Sequence, residues 1–210
     1  MFDLPLPARL ATVAAFGYAV GCLNAGYYLV RWRTRGDLRD LHSGNAGATN
    51  AGRVLGRAGF AAVLLLDAAK GALAAAIGSW LAGTWGGTVG ALASIVGHIW
   101  PAQLSFRGGK GIATALGAFL VVEPFTVLAC SGIALTLFAI TRRWSASGLA
   151  GVALAPLVGG LSRRDTTVFV ALALAVAIVL VAHRDDLAAL RRVRGAPGPG
   201  PRDAGGGGAG

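Results

Sequence analysis

The chain has 210 residues, of which 55% are hydrophobic and 13% charged, with a mean hydropathy of +0.64. Soluble domains carry about twice that share of charged residues, so the composition excludes an ordinary soluble domain and indicates a surface that faces lipid. The formal net charge of +10 does not indicate nucleic-acid binding, because the basic residues lie between apolar runs and the recurrent aromatics of a base-stacking groove are missing.

The first apolar run covers residues 8–30 and predicts one continuous membrane helix. We expect it to be an uncleaved first span, since the basic start and small-residue cleavage site of a signal peptide are missing. Arg31, Trp32 and Arg33 follow the run, and this mixture of aromatic and basic residues is typical of a membrane interface.

Six further spans are predicted, at residues 57–82, 85–100, 112–122, 124–140, 147–161 and 166–182. Pro124 divides the apolar stretch 112–140, because proline disfavours helix at the preceding residue. Several spans fall short of the roughly 20 residues that cross the hydrocarbon core. The sequence therefore predicts an all-α integral membrane protein, a compact bundle of about seven transmembrane helices, some of them short. Five long spans with re-entrant pieces form the alternative.

Loop charge predicts the orientation of this bundle. Arginine and lysine concentrate in the loops after predicted spans one, three, five and seven, and only Arg163 and Arg164 fall on the opposite side. The positive-inside rule therefore places the N-terminus outside and the C-terminus in the cytoplasm. Residues 1–194 are expected to form a single membrane-embedded domain. The tail at 195–210 is rich in glycine and proline and is expected to be disordered.

The first polar motif covers residues 37–53, between the first two predicted spans. Its three glycines let neighbouring backbone N–H groups converge on an anion, and its hydroxyls and amides add neutral donors. Arg53 can grip a phosphate through two parallel hydrogen bonds. A tight interfacial loop with capping residues is the structural alternative. The side chains of this motif that can donate hydrogen bonds to a phosphate are Ser43, Asn45, Thr49, Asn50 and Arg53.

The second motif covers residues 97–114, where three glycines surround Lys110 just before a predicted helix. The free amides at a helix N-terminus attract anions, and a lysine there adds a point charge. A basic loop that only sets membrane topology would not need this arrangement of glycines. The sequence thus predicts a second phosphate-binding loop at residues 107–111.

The ionisable residues in or beside the predicted spans include Asp67, Lys70, His98 and His183. Asp67 and Lys70 are three residues apart, so a mutual ion pair facing the bundle competes with a functional role. His98 is compatible with a structural hydrogen bond. None of the histidine, cysteine and aspartate spacings predicts a metal site.

In their order, these motifs resemble the PlsY-type family, the bacterial membrane glycerol-3-phosphate acyltransferases that use acyl-phosphate. The family's first pattern, roughly GSGN-x-GATN-x-x-R, corresponds to residues 42–53. Its Leu-Asp-x-x-Lys-Gly element stands at 66–71, its GH-x-x-P element at 97–101 and its GGKG-x-AT element at 108–114. The resemblance extends over about residues 15–194.

The resemblance implies a seven-helix bundle with an external N-terminus in the bacterial inner membrane. It implies transfer of an acyl group from acyl-phosphate to the 1-hydroxyl of glycerol 3-phosphate, which yields lysophosphatidate and phosphate for phospholipid biosynthesis. Membrane lipid surrounds such a protein, and no cofactor, metal, nucleic acid or obligate protein partner is implied. The catalytic residues carried over are Ser43, Arg53, Lys110 and His183. The substrate-binding residues are Asn45, Gly47, Thr49, Asn50, His98, Gly108, Gly109, Ser145, Ser147 and Asp186.

The chain departs from the family pattern at several positions. His42 replaces the first glycine of GSGN, and in the third motif Asp186 and Ala189 stand where the family has asparagine and arginine. A carboxylate near a phosphate is unfavourable unless it pairs with an arginine. Two alternatives stay open: a low-activity paralogue, suggested by Asp186, and a carrier for a phosphorylated solute, compatible with the intramembrane residues Asp67 and Lys70.

Overall fold

The computed structural model describes residues 4–162, 165–186 and 188, and the described part folds into seven α-helices and two 3₁₀ turns, without strands. The 3₁₀ turns are Leu38–Asp40 and Ala102–Leu104. The α-helices are α1 (Leu6–Gly21), α2 (Ala25–Thr34), α3 (Ala48–Ile99), α4 (Ile112–Val122), α5 (Pro124–Thr141), α6 (Trp144–Ser162) and α7 (Thr166–Ala182). The predicted all-α architecture is confirmed, whereas the predicted disordered tail at 195–210 lies outside the described residues.

Helix α3 consists of three segments, at residues 48–55, 57–81 and 84–99. Non-helical backbone at Gly56 and at Ala82–Gly83 separates them. Gly83 has a φ of 58°, in the left-handed region that glycine adopts without strain. The second and third segments fold back on each other as a hairpin, in which Gly78 and Gly86 meet backbone to backbone. These breaks agree with the predicted boundaries between spans 57–82 and 85–100.

The predicted single helix over residues 8–30 is wrong, because the backbone leaves the helix between α1 and α2. The carbonyls that the break releases find donors elsewhere in the protein. Gln103 Nε2 donates to Cys22 O at 2.6 Å, and Lys70 Nζ donates to Leu23 O at 2.7 Å. Irregular backbone at membrane depth is tolerated where protein groups satisfy it.

Small residues bring the helices into backbone contact. A Cβ added at Gly17 would lie 2.9 Å from Gly90 O, which joins α1 to the third segment of α3. A Cβ at Gly117 would overlap the backbone of Ala68, which joins α4 to the second segment. Close approach of this kind is the usual means by which membrane helices associate. The larger apolar core around Ile95, Phe119 and Leu172 then lies among α3, α4, α6 and α7.

Four helical segments of the described chain are long and apolar enough to cross a membrane: Leu6–Thr34, Ala48–Leu104, Pro124–Thr141 and Trp144–Leu161. Two further apolar helices, Ile112–Val122 and Thr166–Ala182, are shorter. The second of the long segments contains the α3 hairpin and therefore two passes. The prediction that some spans are short is thus confirmed.

Candidate active site

The polar loop between α2 and α3 folds around the side chain of Asn50, which is completely buried. Asn50 Nδ2 lies 3.0 Å from Leu38 O, 3.0 Å from Leu41 O and 2.9 Å from Asn45 O. Its Oδ1 accepts a hydrogen bond from the amide of Ser43 at 3.4 Å. Asn50 was predicted to contact substrate, but its polar atoms all bond to the loop and fix its shape. Ser43 lies on the exposed side of the loop.

Ser43, Asn45 and Gly47 form a connected turn in this loop. Asn45 Nδ2 donates to Ser43 Oγ at 3.0 Å, and Asn45 Oδ1 accepts from the amide of Gly47 at 3.0 Å. His42, which stands where the family has glycine, has a φ of 47°. Left-handed backbone costs a non-glycine residue about 1–2 kcal/mol. The departure at His42 therefore keeps the turn and adds strain to it.

The second loop, residues 105–111, lies directly against the first. The amide of Ala46 donates to Gly108 O at 3.1 Å. Arg39 Nη1 donates to Leu104 O at 2.6 Å, and Asp37 fixes the Arg39 guanidinium by an ion pair at 2.7 Å. Hydrogen bonding to that guanidinium holds the pKa of Asp37 below its ordinary value. The two glycine-rich motifs thus lie side by side and form one continuous surface, as expected if both bind phosphate in one pocket.

The glycines of the second loop are required by close approach. The amides of Gly108 and Gly109 donate to Ile99 O and His98 O, both at 3.1 Å. A Cβ on Gly108 would overlap His98 O, and one on Gly109 would overlap His98 Nε2. His98 was predicted to bind substrate, and the structure places its buried ring beneath the loop.

Lys110 and the end of α7 form the third part of the surface. Lys110 Nζ makes an ion pair with Asp186 Oδ2, and the two side chains are 25% and 43% exposed. His183, three residues earlier, is buried, and its Nδ1 lies 2.8 Å from Val179 O. A proton on Nδ1 would donate to that carbonyl and leave Nε2 free to accept a proton. Burial lowers the pKa of His183, which favours its neutral form.

Arg53 lies beside a cavity of about 240 Å³ at the first bend of α3. Its side chain is exposed and makes no hydrogen bond or ion pair with the residues that the structure describes. Phe60, which also lines the cavity, meets Trp144 edge-to-face at 5.8 Å, so the start of α6 borders the same region. The cavity is lined by Thr49, Gly52, Arg53, Gly56, Arg57 and Phe60.

The two predicted serines at the start of α6 differ in their surroundings. Ser145 is exposed, whereas Ser147 is buried with its Oγ 3.2 Å from Thr141 Oγ1. The contact of Phe60 with Trp144 brings the start of the helix that carries both serines to the edge of the cavity. Sequence reasoning missed Arg39 and Gln103, whose hydrogen bonds tie the loop 102–111 to the α2 side of the protein.

Known proteins match this arrangement along most of the chain. The profile of the family described as Glycerol-3-phosphate acyltransferase matches residues 11–193. Glycerol-3-phosphate acyltransferase 1 of Desulfitobacterium hafniense is 43% identical over 171 residues, which cover 81% of this chain and 85% of the relative. The Myxococcus xanthus glycerol-3-phosphate acyltransferase is 40% identical over 185 residues, with 87% and 96% covered.

Two solved structures have the same fold. The crystal structure of PlsY, an integral membrane glycerol 3-phosphate acyltransferase, in its glycerol 3-phosphate form superposes with a TM-score of 0.83 at 30% identity. The match covers 88% of this chain and 93% of that one. The lysophosphatidic acid form of PlsY gives a TM-score of 0.80 at 29% identity. The chain therefore belongs to the PlsY-type glycerol-3-phosphate acyltransferase family and is a multi-pass membrane acyltransferase.

Proposed function

We propose that this protein transfers an acyl group from acyl-phosphate to the 1-hydroxyl of glycerol 3-phosphate, releasing lysophosphatidate and inorganic phosphate. The observation that carries the proposal is the hydrogen bond of the Ala46 amide to Gly108 O, which joins the Ser43 turn to the glycine-rich loop around Lys110. Two phosphate-binding motifs side by side suit a reaction in which both substrates carry phosphate.

The proposal assigns phosphate binding to Ser43, Arg53 and Lys110. Arg53 is free to receive an anion and borders a largely apolar cavity, so it suits a phosphate that continues into a hydrocarbon chain. Asn45, Gly47 and Thr49 complete the first loop, Gly108 and Gly109 the second. Ser145 and Ser147 belong to the cavity edge. Acyl-phosphate is an activated mixed anhydride, so orientation and charge stabilisation supply much of the rate without a covalent enzyme intermediate.

In the chemical step, the 1-hydroxyl oxygen attacks the acyl carbon, a new ester bond forms, and the carbon–oxygen bond to phosphate breaks. We assign the hydroxyl proton to His183, because a proton on Nδ1 would be held by Val179 O and leave Nε2 free to accept, while burial lowers the pKa of His183 and keeps the ring neutral. Lys110 would neutralise charge that gathers on a phosphate oxygen. A phosphate oxygen of the substrate is the alternative proton acceptor.

The proposal includes the location of the protein. Arginine-rich segments at 31–57 and 142–143 support a cytoplasmic position for the joined loops in the bacterial inner membrane, with the N-terminus outside. Both substrates then reach the site from the cytoplasm and the surrounding lipid. The reaction as written needs no cofactor and no protein partner.

Phosphate release by the purified protein tests the proposal. Hexadecanoyl phosphate is supplied with and without glycerol 3-phosphate, and phosphate is expected only when both are present. Ser43→Ala, Arg53→Ala and Lys110→Ala should each lower the rate by at least about 100-fold, as loss of a preorganised charge or hydrogen-bond donor does. Arg33→Ala, which removes an exposed charge from the end of α2, is the matched control.

Retained activity in all three variants would contradict the site assignment. An equal loss in Arg33→Ala would show that general positive charge, rather than these positions, is responsible. The carrier alternative predicts uptake of labelled glycerol 3-phosphate into liposomes without acylation. It rested on Asp67 and Lys70, which the structure pairs with each other at 2.9 Å.

A further inference from the structure

Asp67, Lys70 and His98 form a buried polar cluster between the second and third segments of α3. Their exposed fractions are 1%, 7% and 2%. None of these side chains opens onto the surface formed by the two loops, and the chemical step proposed above uses none of them. Charges inside a membrane bundle are costly and call for a specific explanation.

The Lys70 ammonium is the centre of the cluster. It lies 2.9 Å from Asp67 Oδ1 and 2.8 Å from His98 Nδ1, and it donates to Leu23 O at 2.7 Å. A carboxylate, a ring nitrogen and a backbone carbonyl thus surround one ammonium group, the carboxylate as an ion pair and the other two at hydrogen-bond distance. An ammonium group can only donate, so a charged Lys70 makes His98 Nδ1 the acceptor and leaves the ring proton on Nε2, the atom that faces Gly109. The cluster therefore fixes the tautomer and the orientation of the ring.

His98 connects the cluster to the glycine-rich loop. Its carbonyl accepts the Gly109 amide at 3.1 Å, and its ring lies so close beneath Gly109 that a Cβ there would overlap Nε2. Lys110 is the next residue. The path from Asp67 through Lys70 and His98 to the loop consists of direct contacts at every step.

Stability alone is a weak reason for such a cluster. Replacing a buried ion pair with apolar residues of similar volume is often neutral or stabilising. A glycine-rich loop, by contrast, has unusual backbone freedom, and that freedom is lost when the loop closes on an anion. A rigid ring held under the loop reduces this loss before the anion arrives.

We propose that Asp67, Lys70 and His98 are positioning residues that hold the loop 108–111 in the conformation that binds a substrate phosphate. The proposal rests on the function proposed above only for the identity of the phosphate. The cluster acts through the backbone of Gly108 and Gly109 and through the placement of Lys110, without touching substrate.

The first experiment removes both charges together in Asp67→Asn/Lys70→Met, so that no unpaired charge stays buried. KM for glycerol 3-phosphate, KM for hexadecanoyl phosphate and kcat are measured, together with the thermal midpoint. One of the two KM values should rise about tenfold. Losing a hydrogen-bond partner that orients a metal ligand from outside has an effect of this size on metal affinity or activity. The substrate whose KM rises is the one that the loop holds. Thr126→Val, at an equally buried hydroxyl in α5, should leave both KM values within about twofold.

The second experiment uses the contact between His98 and Gly109. Gly109→Ala should weaken binding because its Cβ meets the ring, and His98→Ala should weaken binding because the ring is gone. If the ring supports the loop by contact, the double variant has room for the new Cβ and binds more tightly than the product of the two single effects predicts. The dissociation constant of glycerol 3-phosphate by calorimetry is the readout.

Two results would overturn the proposal. One is a folded Asp67→Asn/Lys70→Met protein with both KM values unchanged. The other is a double His98→Ala/Gly109→Ala variant whose loss of affinity equals the product of the two single losses. This result decides the question when the Asp67→Asn/Lys70→Met protein does not fold. Calorimetry of the parent protein with glycerol 3-phosphate and inorganic phosphate separates this proposal from the proposed reaction. A parent that binds phosphate and transfers no acyl group would contradict only the reaction.

Discussion

Asp186 places a carboxylate on Lys110, the lysine to which phosphate binding is assigned. A carboxylate at this position is unfavourable near a phosphate unless a basic residue such as arginine pairs with it. The structure supplies Lys110 instead, so the carboxylate is paired, and it competes with any incoming phosphate for the same ammonium. Because both side chains are partly exposed, the competition is worth about 1 kcal/mol or less.

Replacing Asp186 with asparagine should therefore improve binding. Asp186→Asn is expected to lower KM by up to about fivefold for the substrate that Lys110 binds, since about 1 kcal/mol corresponds to that factor. Asp185→Asn removes an equal charge one residue away, from a side chain that faces solvent and pairs only loosely with Arg184, and should leave KM unchanged. A fall in kcat in Asp186→Asn would instead give the carboxylate a part in the reaction.

The acid side of the pH profile should report His183. Its lowered pKa keeps the imidazole neutral at neutral pH, so kcat should stay level there and fall only below the ordinary histidine value of about 6.5. His183→Gln cannot accept a proton and should lower kcat by roughly 100-fold or more while removing the acid limb. His42→Gln, at an exposed histidine, should keep the limb. An unchanged limb in His183→Gln would favour a substrate phosphate as the base.

Elements were easier to predict than the contacts between them. Gly83 and Pro124 mark helix boundaries in the sequence, because glycine permits a left-handed turn and proline fixes its φ and lacks an amide donor. The structure breaks α3 and begins α5 at those residues. The break between α1 and α2 depends on Lys70 and Gln103, which lie 47 and 81 residues further along the chain. The hydropathy of residues 22–24 does not depend on those distant donors, so the local sequence predicts one continuous helix.

The loop around Asn50 shows the same limit at the site. Its amide and hydroxyl side chains predict anion binding, yet Asn50 is buried and bound to three carbonyls. The amino-acid composition of the loop is the same whether its hydrogen-bond donors face a substrate or face the loop itself, so composition does not distinguish the two arrangements. Gly108 and Gly109 of the second loop are similar, because they are required by the close approach of the His98 carbonyl and the His98 ring, respectively, rather than by their own φ angles.

Asn50→Asp tests the role of this residue in the loop. The substitution places an anionic oxygen against carbonyl oxygens, which should cost about 1–3 kcal/mol and lower the thermal midpoint by roughly 3–10 °C. Activity should fall with it, because the Ser43 turn loses its anchor. Asp40→Asn makes the reverse exchange at an exposed position in the same loop and should change neither quantity. An unchanged thermal midpoint together with lost activity would contradict this role and indicate that Asn50 contacts the substrate directly.

The whole bundle depends on close packing at small residues. Gly117→Ala forces a Cβ into the backbone of Ala68, and crowding of this kind costs about 1–3 kcal/mol. We expect a clearly lower thermal midpoint in detergent. Gly132→Ala makes the same chemical change in α5, where nothing lies within 4 Å of the new Cβ, and should be tolerated. Equal midpoints for the two variants would contradict packing by backbone contact.

The short helix α4 has a consequence for where the reaction takes place. Helices α4 and α5 meet at Glu123 and have 11 and 18 residues. At about 1.5 Å per residue, α4 is about 16 Å long, roughly half of the 30 Å thickness of the hydrocarbon core. Helix α4 therefore cannot join the two membrane surfaces, and one of its ends lies within the hydrocarbon region. We expect the Gly111 end to be the recessed one, so that an acyl donor presents its head to the glycine-rich loop while its tail stays among the lipid chains and no hydrocarbon is transferred into water.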